Sequence, residues 1–133
     1  MLTLPEVLVV DDDPLVREML AFTLAEAFAV RFASTGTEAV AALTEHPPAA
    51  MLLDVVMPAV DGYDVLELRR QRGLAPDTRV VMLSADDDER CLVRCWALGA
   101  DSYLTKPIDP ASITAKLRYL LRMAPTPPAA VSG

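Results

Sequence analysis

Short apolar segments alternate with longer segments of helical periodicity along most of the chain. The apolar segments predict five strands, at residues 7–10, 30–33, 51–54, 80–84 and 102–105. A helical pattern follows each of them, beginning near Pro14, Thr35, Asp61, Asp86 and Asp109. In the first helix, which we expect to run to about Ala27, the apolar Leu15, Met19 and Phe22 recur at i, i+4 and i+7, the spacing of one helix face.

Polar residues and glycine mark the predicted helix ends. Asp13 before Pro14 is typical of an N-cap followed by the first helical residue. Thr35 and Glu38 have the spacing of a capping box. Residues 86–89 place negative charge in the first turn of the fourth helix, and Gly99 is its expected end.

Five strand–helix units predict an α/β fold, a parallel sheet covered by helices on both faces with right-handed crossovers. The segments 7–10, 51–53 and 80–83 are continuously apolar, as expected for interior strands. The segments 30–33 and 102–105 are more polar, which suits the edges of the sheet. This distribution favours a doubly wound, flavodoxin-like sheet with strand order 2-1-3-4-5.

Composition agrees with a single globular domain. The chain has 133 residues, of which 53% are hydrophobic and 23% charged. No apolar run approaches the roughly 20 residues that span a bilayer, and charged residues follow Met1 too soon for a signal peptide, so we expect a cytoplasmic location and no membrane contact. Twelve basic against 19 acidic residues give a net charge of −7, which argues against direct nucleic-acid binding by this segment.

The cysteine and histidine content limits the possible chemistry. Cys91 and Cys95 are four residues apart on one helix and are expected to be reduced core thiols, with Trp96 also in the core. His46, the single histidine, precedes two prolines and is expected in a surface loop. Zinc clusters, Cys–His dyads and Ser–His–Asp triads are therefore not expected, which leaves carboxylates, hydroxyls and lysine.

Polar side chains follow the predicted strands where each strand ends. Asp11, Asp12 and Asp13 follow the first strand, Asp54 ends the third, Ser84 ends the fourth and Lys106 follows the fifth. Parallel strands end at one edge of a sheet, so these groups should converge there. Crowded carboxylates favour a hard cation such as Mg²⁺, and an aspartate beside a lysine and a hydroxyl can accept a phosphoryl group. The sequence thus predicts phosphoryl capture by an aspartate.

Four motifs at these strand ends resemble the receiver domain of bacterial two-component response regulators, which is CheY-like. They are the segments VVDDDP at 9–14, LLDVVMP at 52–58, MLSA at 82–85 and GADSYLTKP at 99–107. The resemblance covers about residues 5 to 123. The end of the last helix, KLRYLLR at 116–122, is similar to receivers of the OmpR/PhoB-like transcription regulator type.

The resemblance implies a role for each matching residue. Asp54 would be the phosphoacceptor, with Mg²⁺ held by Asp11, Asp12, Asp54 and the backbone carbonyl of Val56. Ser84 and Lys106 would contact the phosphoryl group. Ser84 and Tyr103 would be the switch residues, and the Lys106–Pro107 peptide would be cis. Asp13 is then a helix cap rather than a ligand.

The resemblance also implies tuning positions and partners. Val56 and Asp86 match positions at which the family tunes hydrolysis, and the apolar Val56 predicts a long phosphorylated lifetime. The phosphoryl donor would be a separate sensor histidine kinase or phosphotransfer protein. The face formed by helix 4, strand 5 and helix 5 would bind partners or a second copy.

We expect residues 1–123 to form the receiver and the Ala/Pro-rich residues 124–133 to be a disordered tail or linker. The receiver is not expected to be a turnover enzyme on an external substrate. One alternative is an aspartyl-phosphate phosphatase of the haloacid-dehalogenase type, although Leu15 stands where that motif has Thr or Val. A flavin carrier is disfavoured because residues 11–13 would repel a phosphate. The third alternative is a receiver-like scaffold that acts without phosphorylation.

Overall fold

The computed structural model describes residues 3–85 and 88–123, in which five strands alternate with five helices. The strands are β1 (Glu6–Val10), β2 (Ala29–Ala33), β3 (Ala50–Asp54), β4 (Arg79–Ser84) and β5 (Ser102–Thr105). The helices are α1 (Pro14–Leu24), α2 (Gly36–Glu45), α3 (Gly62–Arg72), α4 (Glu89–Ala97) and α5 (Pro110–Met123). The expected tail 124–133 and Asp86 lie outside the described residues.

The sheet is parallel throughout, with strand order β2-β1-β3-β4-β5. The predicted fold is therefore confirmed, with β2 and β5 at the edges. The residues of β3 and all of β4 except its first are buried, because helices cover both faces of these interior strands. Within the described ranges every helix is too short or too polar to cross a bilayer.

Two apolar layers lie on opposite faces of the sheet. Val7 and Val9 of β1 pack with Leu20 of α1 and with Ile113 and Leu117 of α5. The alternate residues of β1 face the other layer, which α2, α3 and Cys95 of α4 complete. Successive strand residues point to opposite faces, so the continuously apolar β1 contributes to both layers.

The apolar series Leu15, Met19 and Phe22 points away from the sheet. Leu15 is 73% exposed and Phe22 88% exposed, whereas Leu20 and Leu24 are fully buried. Helix α1 carries apolar residues on two faces, and periodicity alone does not say which face the sheet covers. The helix also ends at Leu24, three residues before the predicted Ala27.

Two expectations for α4 are corrected. Cys95 is buried as predicted, whereas Cys91 is only partly buried. Trp96 is 56% exposed, because consecutive residues are about 100° apart around a helix. The helix begins at Glu89 with Asp88 as its N-cap, whose carboxylate accepts a hydrogen bond from the Arg90 N–H. The predicted start at 86 is therefore too early.

Candidate functional site

Three predicted residues from three different strands meet at the carboxyl edge of the sheet. Asp11 follows β1 and is fully buried, and Asp54 ends β3 and is 5% exposed. The ammonium of Lys106, which follows β5, lies 3.0 Å from Oδ2 of Asp11 and 3.4 Å from Oδ2 of Asp54. One amine therefore bridges two buried carboxylates.

Every polar group of Asp11 has a partner. Its N–H donates to the carbonyl of Ala33 at 3.2 Å, and its carbonyl accepts from the Arg17 guanidinium at 2.8 Å. Its Oδ1 accepts from the N–H of Asp13 at 2.9 Å, and its Oδ2 accepts from Lys106. These contacts fix the direction of a carboxylate that has been removed from water, which stabilises it there.

The backbone after β3 approaches Asp54 closely. The N–H of Val56 donates to Oδ1 of Asp54 at 3.3 Å, and the N–H of Gly62 donates to the carbonyl of Val55 at 2.9 Å. A Cβ at Gly62 would lie only 2.5 Å from the carbonyl oxygen of Asp54. Glycine at this position therefore lets the first turn of α3 lie against the end of β3. Asp61 and Asp64 stabilise that turn with a capping box.

Burial and charge make the ionisation of Asp54 unfavourable. Burial and the neighbouring Asp11 charge raise the pKa of Asp54 to about 6, against the opposing effect of Lys106 and the Val56 N–H. For Lys106, burial acts to lower the pKa, but the hydrogen bond to Asp11 and the nearby carboxylates outweigh it and the pKa is raised. The Lys106 ammonium therefore stays charged. The raised pKa of Asp54 shows that one ammonium does not offset the negative charge of the site, so a second cation is still electrostatically favoured there.

The carboxylates fit a divalent cation. Oxygen atoms of Asp11, Asp12 and Asp54 lie within 4.8 Å of one another, and Asp12 is exposed at the rim of the site. Hard cations such as Mg²⁺ prefer this oxygen donor set and keep several waters, which the open rim allows. Asp13 has a different task, since its carboxylate accepts from the N–H of Leu15 and caps α1.

The remaining predicted residues flank this cluster. Ser84 ends β4 and is buried, and its carbonyl accepts from the N–H of Lys106 at 2.7 Å. Tyr103 is half-buried on β5 and packs against the layer on the α4 side of the sheet. The Lys106–Pro107 peptide is cis. The side chain of Val56 is 73% exposed.

Sequence reasoning missed Arg17, which binds the site from α1. A basic residue one helical turn after an acidic loop is common on solvated helix faces. Its bond to a backbone carbonyl six residues earlier is visible only once the loop is folded.

The fold and this site define a CheY-like α/β protein with an acidic, lysine-containing centre. The sequence profile of the response regulator receiver domain matches residues 7–118. The chain belongs to this receiver domain family. That membership decides against the haloacid-dehalogenase and flavin-carrier interpretations.

The relatives include transcriptional regulators and receiver structures. The chain is 38% identical over 119 residues to the transcriptional regulatory protein GltR of Pseudomonas aeruginosa, covering 89% of this chain and 49% of GltR. Chemotaxis protein CheY4 of Vibrio cholerae has a TM-score of 0.82 at 28% identity, covering 89% of this chain and 99% of CheY4.

Response regulator DrrB of Thermotoga maritima, an OmpR/PhoB homolog, has a TM-score of 0.81 at 26% identity, covering 91% of this chain and 54% of DrrB. The chain spans about half the length of the curated relatives it matches, which are transcriptional regulatory proteins.

Proposed function

We propose that the chain is a phosphorylation-driven signalling switch in which Asp54 accepts a phosphoryl group. The observation that carries this proposal is the shared ammonium of Lys106, 3.0 Å from Asp11 and 3.4 Å from Asp54. A carboxylate beside a fixed cation and a second acidic group is suited to nucleophilic attack on phosphorus. Family membership supports the same assignment.

Mg²⁺ would be held by Asp11, Asp12 and Asp54, with the backbone carbonyl of Val56 as a further ligand. When bound, the cation neutralises charge on the phosphoryl oxygens. The chain's own task is to present these oxygens close together, while Lys106 and the Val56 N–H oppose the burial and the Asp11 charge that raise the pKa of Asp54. The cluster of oxygens within 4.8 Å supports this assignment.

In the transfer, a carboxylate oxygen of Asp54 forms a bond to phosphorus as the bond from phosphorus to the donor nitrogen breaks. The leaving imidazole of the donor takes the electron pair and afterwards a proton. Lys106 and the Ser84 hydroxyl would contact the phosphoryl oxygens. Because phosphoryl transfer depends mainly on positioning and charge neutralisation, these two groups need only be held in place. Hydrolysis of the acyl phosphate would reset the switch without turnover of an external substrate.

The partners follow from the chemistry of the site. The structure describes no histidine near Asp54, and the chain's single histidine, His46, is the exposed C-cap of α2, so the donor would be a sensor histidine kinase or phosphotransfer protein. Phosphorylation would rearrange Ser84 and Tyr103 and thereby the face of α4, β5 and α5. Val93, Trp96 and Tyr119 are more than half exposed on α4 and α5, which supports this face as a contact for a partner or a second copy.

The test is labelling with acetyl phosphate or phosphoramidate, with and without Mg²⁺. We expect Mg²⁺-dependent, acid-stable and base-labile labelling of the wild type and none of Asp54→Ala. A matched control is Asp77→Ala, which removes an exposed carboxylate in the loop before β4, at the opposite edge of the sheet, and should leave labelling unchanged. Equal labelling of the wild type and Asp54→Ala would remove the assignment. No labelling of either would favour a scaffold that acts without phosphorylation.

A further inference from the structure

Arg17 joins α1 to the acidic loop by two separate hydrogen bonds. Its backbone N–H donates to the carbonyl of Asp13 at 3.1 Å, as the first turn of a helix requires. Its guanidinium turns back over that turn and donates to the carbonyl of Asp11 at 2.8 Å. A charged donor makes a hydrogen bond of this kind about twice as strong as a neutral one.

The bond to Asp11 acts on the residue at the centre of the site. Lys106 holds one oxygen of the Asp11 carboxylate, and the N–H of Asp13 holds the other. Arg17 fixes the peptide group from which that carboxylate extends. If this peptide group rotates, the carboxylate moves away from Asp54 and Asp12 even though its own hydrogen-bond partners are intact.

The charge of Arg17 also acts on Glu38 in the first turn of α2. The pKa of Glu38 is lowered chiefly by hydrogen bonds from Ser34, and the positive charge of Arg17 contributes. Glu38 in turn holds the N–H of Ser34 at 2.8 Å, in the loop that follows Ala33, the partner of the Asp11 N–H. The positive charge of Arg17 therefore also acts on the start of α2.

We infer that Arg17 is a positioning residue for the cation site, clamping the Asp11 backbone so that its carboxylate faces those of Asp12 and Asp54. This inference rests on the proposed function, because it concerns the same cation. A clamping role and a purely electrostatic role of Arg17 predict opposite changes in Mg²⁺ affinity when Arg17 is replaced. Removing a nearby positive charge by itself strengthens the binding of a cation, whereas losing the clamp weakens it.

Arg17→Met removes both the charge and the donor while keeping an unbranched, mainly aliphatic side chain. We expect Mg²⁺ binding, measured by isothermal titration calorimetry, to weaken about tenfold, the effect of losing a group that orients a metal ligand. Arg17→Lys keeps the charge, but its ammonium stands one bond short of the Asp11 carbonyl, so we expect it to weaken binding as well. A role of charge alone predicts tighter binding by Arg17→Met and no change in Arg17→Lys.

The matched control is Arg31→Met. The guanidinium of Arg31 also donates a hydrogen bond to a backbone carbonyl, that of His46. His46 lies at the C-terminal end of α2, away from the acidic cluster. We expect its Mg²⁺ affinity to equal that of the wild type. Circular dichroism checks that each variant is folded. If Arg17→Met does not fold, the test is made with Arg17→Lys.

Labelling by acetyl phosphate supplies a second measurement. In Arg17→Met the Mg²⁺ concentration for half-maximal labelling should rise more than the maximal rate falls. Unchanged or tighter Mg²⁺ binding by both folded variants would overturn the inference, and so would a lower melting temperature with unchanged binding. If the wild type neither binds Mg²⁺ nor becomes labelled, the proposed function fails instead.

Discussion

Lys106 and Asp11 are separated by 95 residues in the chain, and their side chains meet at 3.0 Å. They follow β5 and β1, which are separated in the sheet by β3 and β4. The contact therefore ties the edge strand β5 to the interior strand β1 across the carboxyl edge of the sheet. Asp11 is fully buried, so Lys106 is both part of the proposed reaction and the charge partner of a carboxylate that water does not reach.

This double role predicts the effect of Lys106→Met. Removing one partner of a buried pair leaves a carboxylate without its counter-charge, which costs several kcal/mol when both groups are fully buried. The Lys106 side chain is 25% exposed, so we expect a smaller loss, about 2 kcal/mol in the free energy of unfolding. Urea denaturation in the presence of a chelator measures it. Lys116→Met on α5 is the control, and an equal loss in both variants would contradict the prediction.

A second prediction concerns the pH dependence of stability without metal. Burial and the Asp11 charge raise the pKa of Asp54 in the folded protein to about 6, above the ordinary value of 3.8, so over that range the unfolded chain releases its proton first. The unfolded state then binds fewer protons than the folded state, and stability falls as pH rises from about 4 to 6.

Asp54→Asn removes this loss. With a chelator present, we expect it to match the wild type near pH 4 and to be about 1–2 kcal/mol more stable at pH 7, allowing for partial screening of the shift. Urea titrations of both proteins across the pH range give the difference directly. A difference that is constant with pH would show that the carboxylate carries no such penalty.

Gly62 predicts a steric effect at the site. In Gly62→Ala the new Cβ would lie 2.5 Å from the Asp54 carbonyl, so α3 or the end of β3 has to move. We expect a loss of about 2 kcal/mol and slower labelling of Asp54. Gly73→Ala is the comparison, because Gly73 has φ 64 with nothing within 4 Å of an added Cβ. It should cost about 1 kcal/mol through backbone strain and leave labelling unchanged. Equal labelling rates in both variants would count against the packing argument.

The two faces of α1 predict opposite responses to substitution. Leu20→Ala opens a cavity between α1 and the sheet and should cost about 2–5 kcal/mol, whereas Phe22→Ser, at a position 88% exposed, should change stability by less than about 0.5 kcal/mol. Thermal or urea unfolding compares the two. A large loss in Phe22→Ser would mean that the exposed face is covered.

Helix α1 also shows which features could be predicted from the sequence and which could not. Parallel strands end at one edge, so the meeting of Asp11, Asp54 and Lys106 followed from their positions after apolar segments. Which face of α1 is buried did not follow, because both faces are apolar and the sheet decides between them. The prediction that Trp96 lies in the core was wrong for a related reason, since α4 has apolar residues on its exposed side as well. Arg17 was missed because its acceptor is a backbone carbonyl, which leaves no pattern in the sequence.

The last prediction concerns how long the phosphorylated state would persist. The N–H of Val56 donates to Oδ1 of Asp54, and the Val56 side chain is 73% exposed. It lies at the rim, where water would attack the phosphorus. An isopropyl group neither donates nor accepts a hydrogen bond, so it cannot orient that water, and we expect slow loss of phosphate. Val56→Asn supplies an amide that can bind the water, and dephosphorylation should become severalfold faster, followed as loss of label after the donor is removed in constant Mg²⁺. Val56→Leu, which is apolar and exposed in the same place, should match the wild type. Equal rates in the Asn and Leu variants would mean that this side chain does not control the attack.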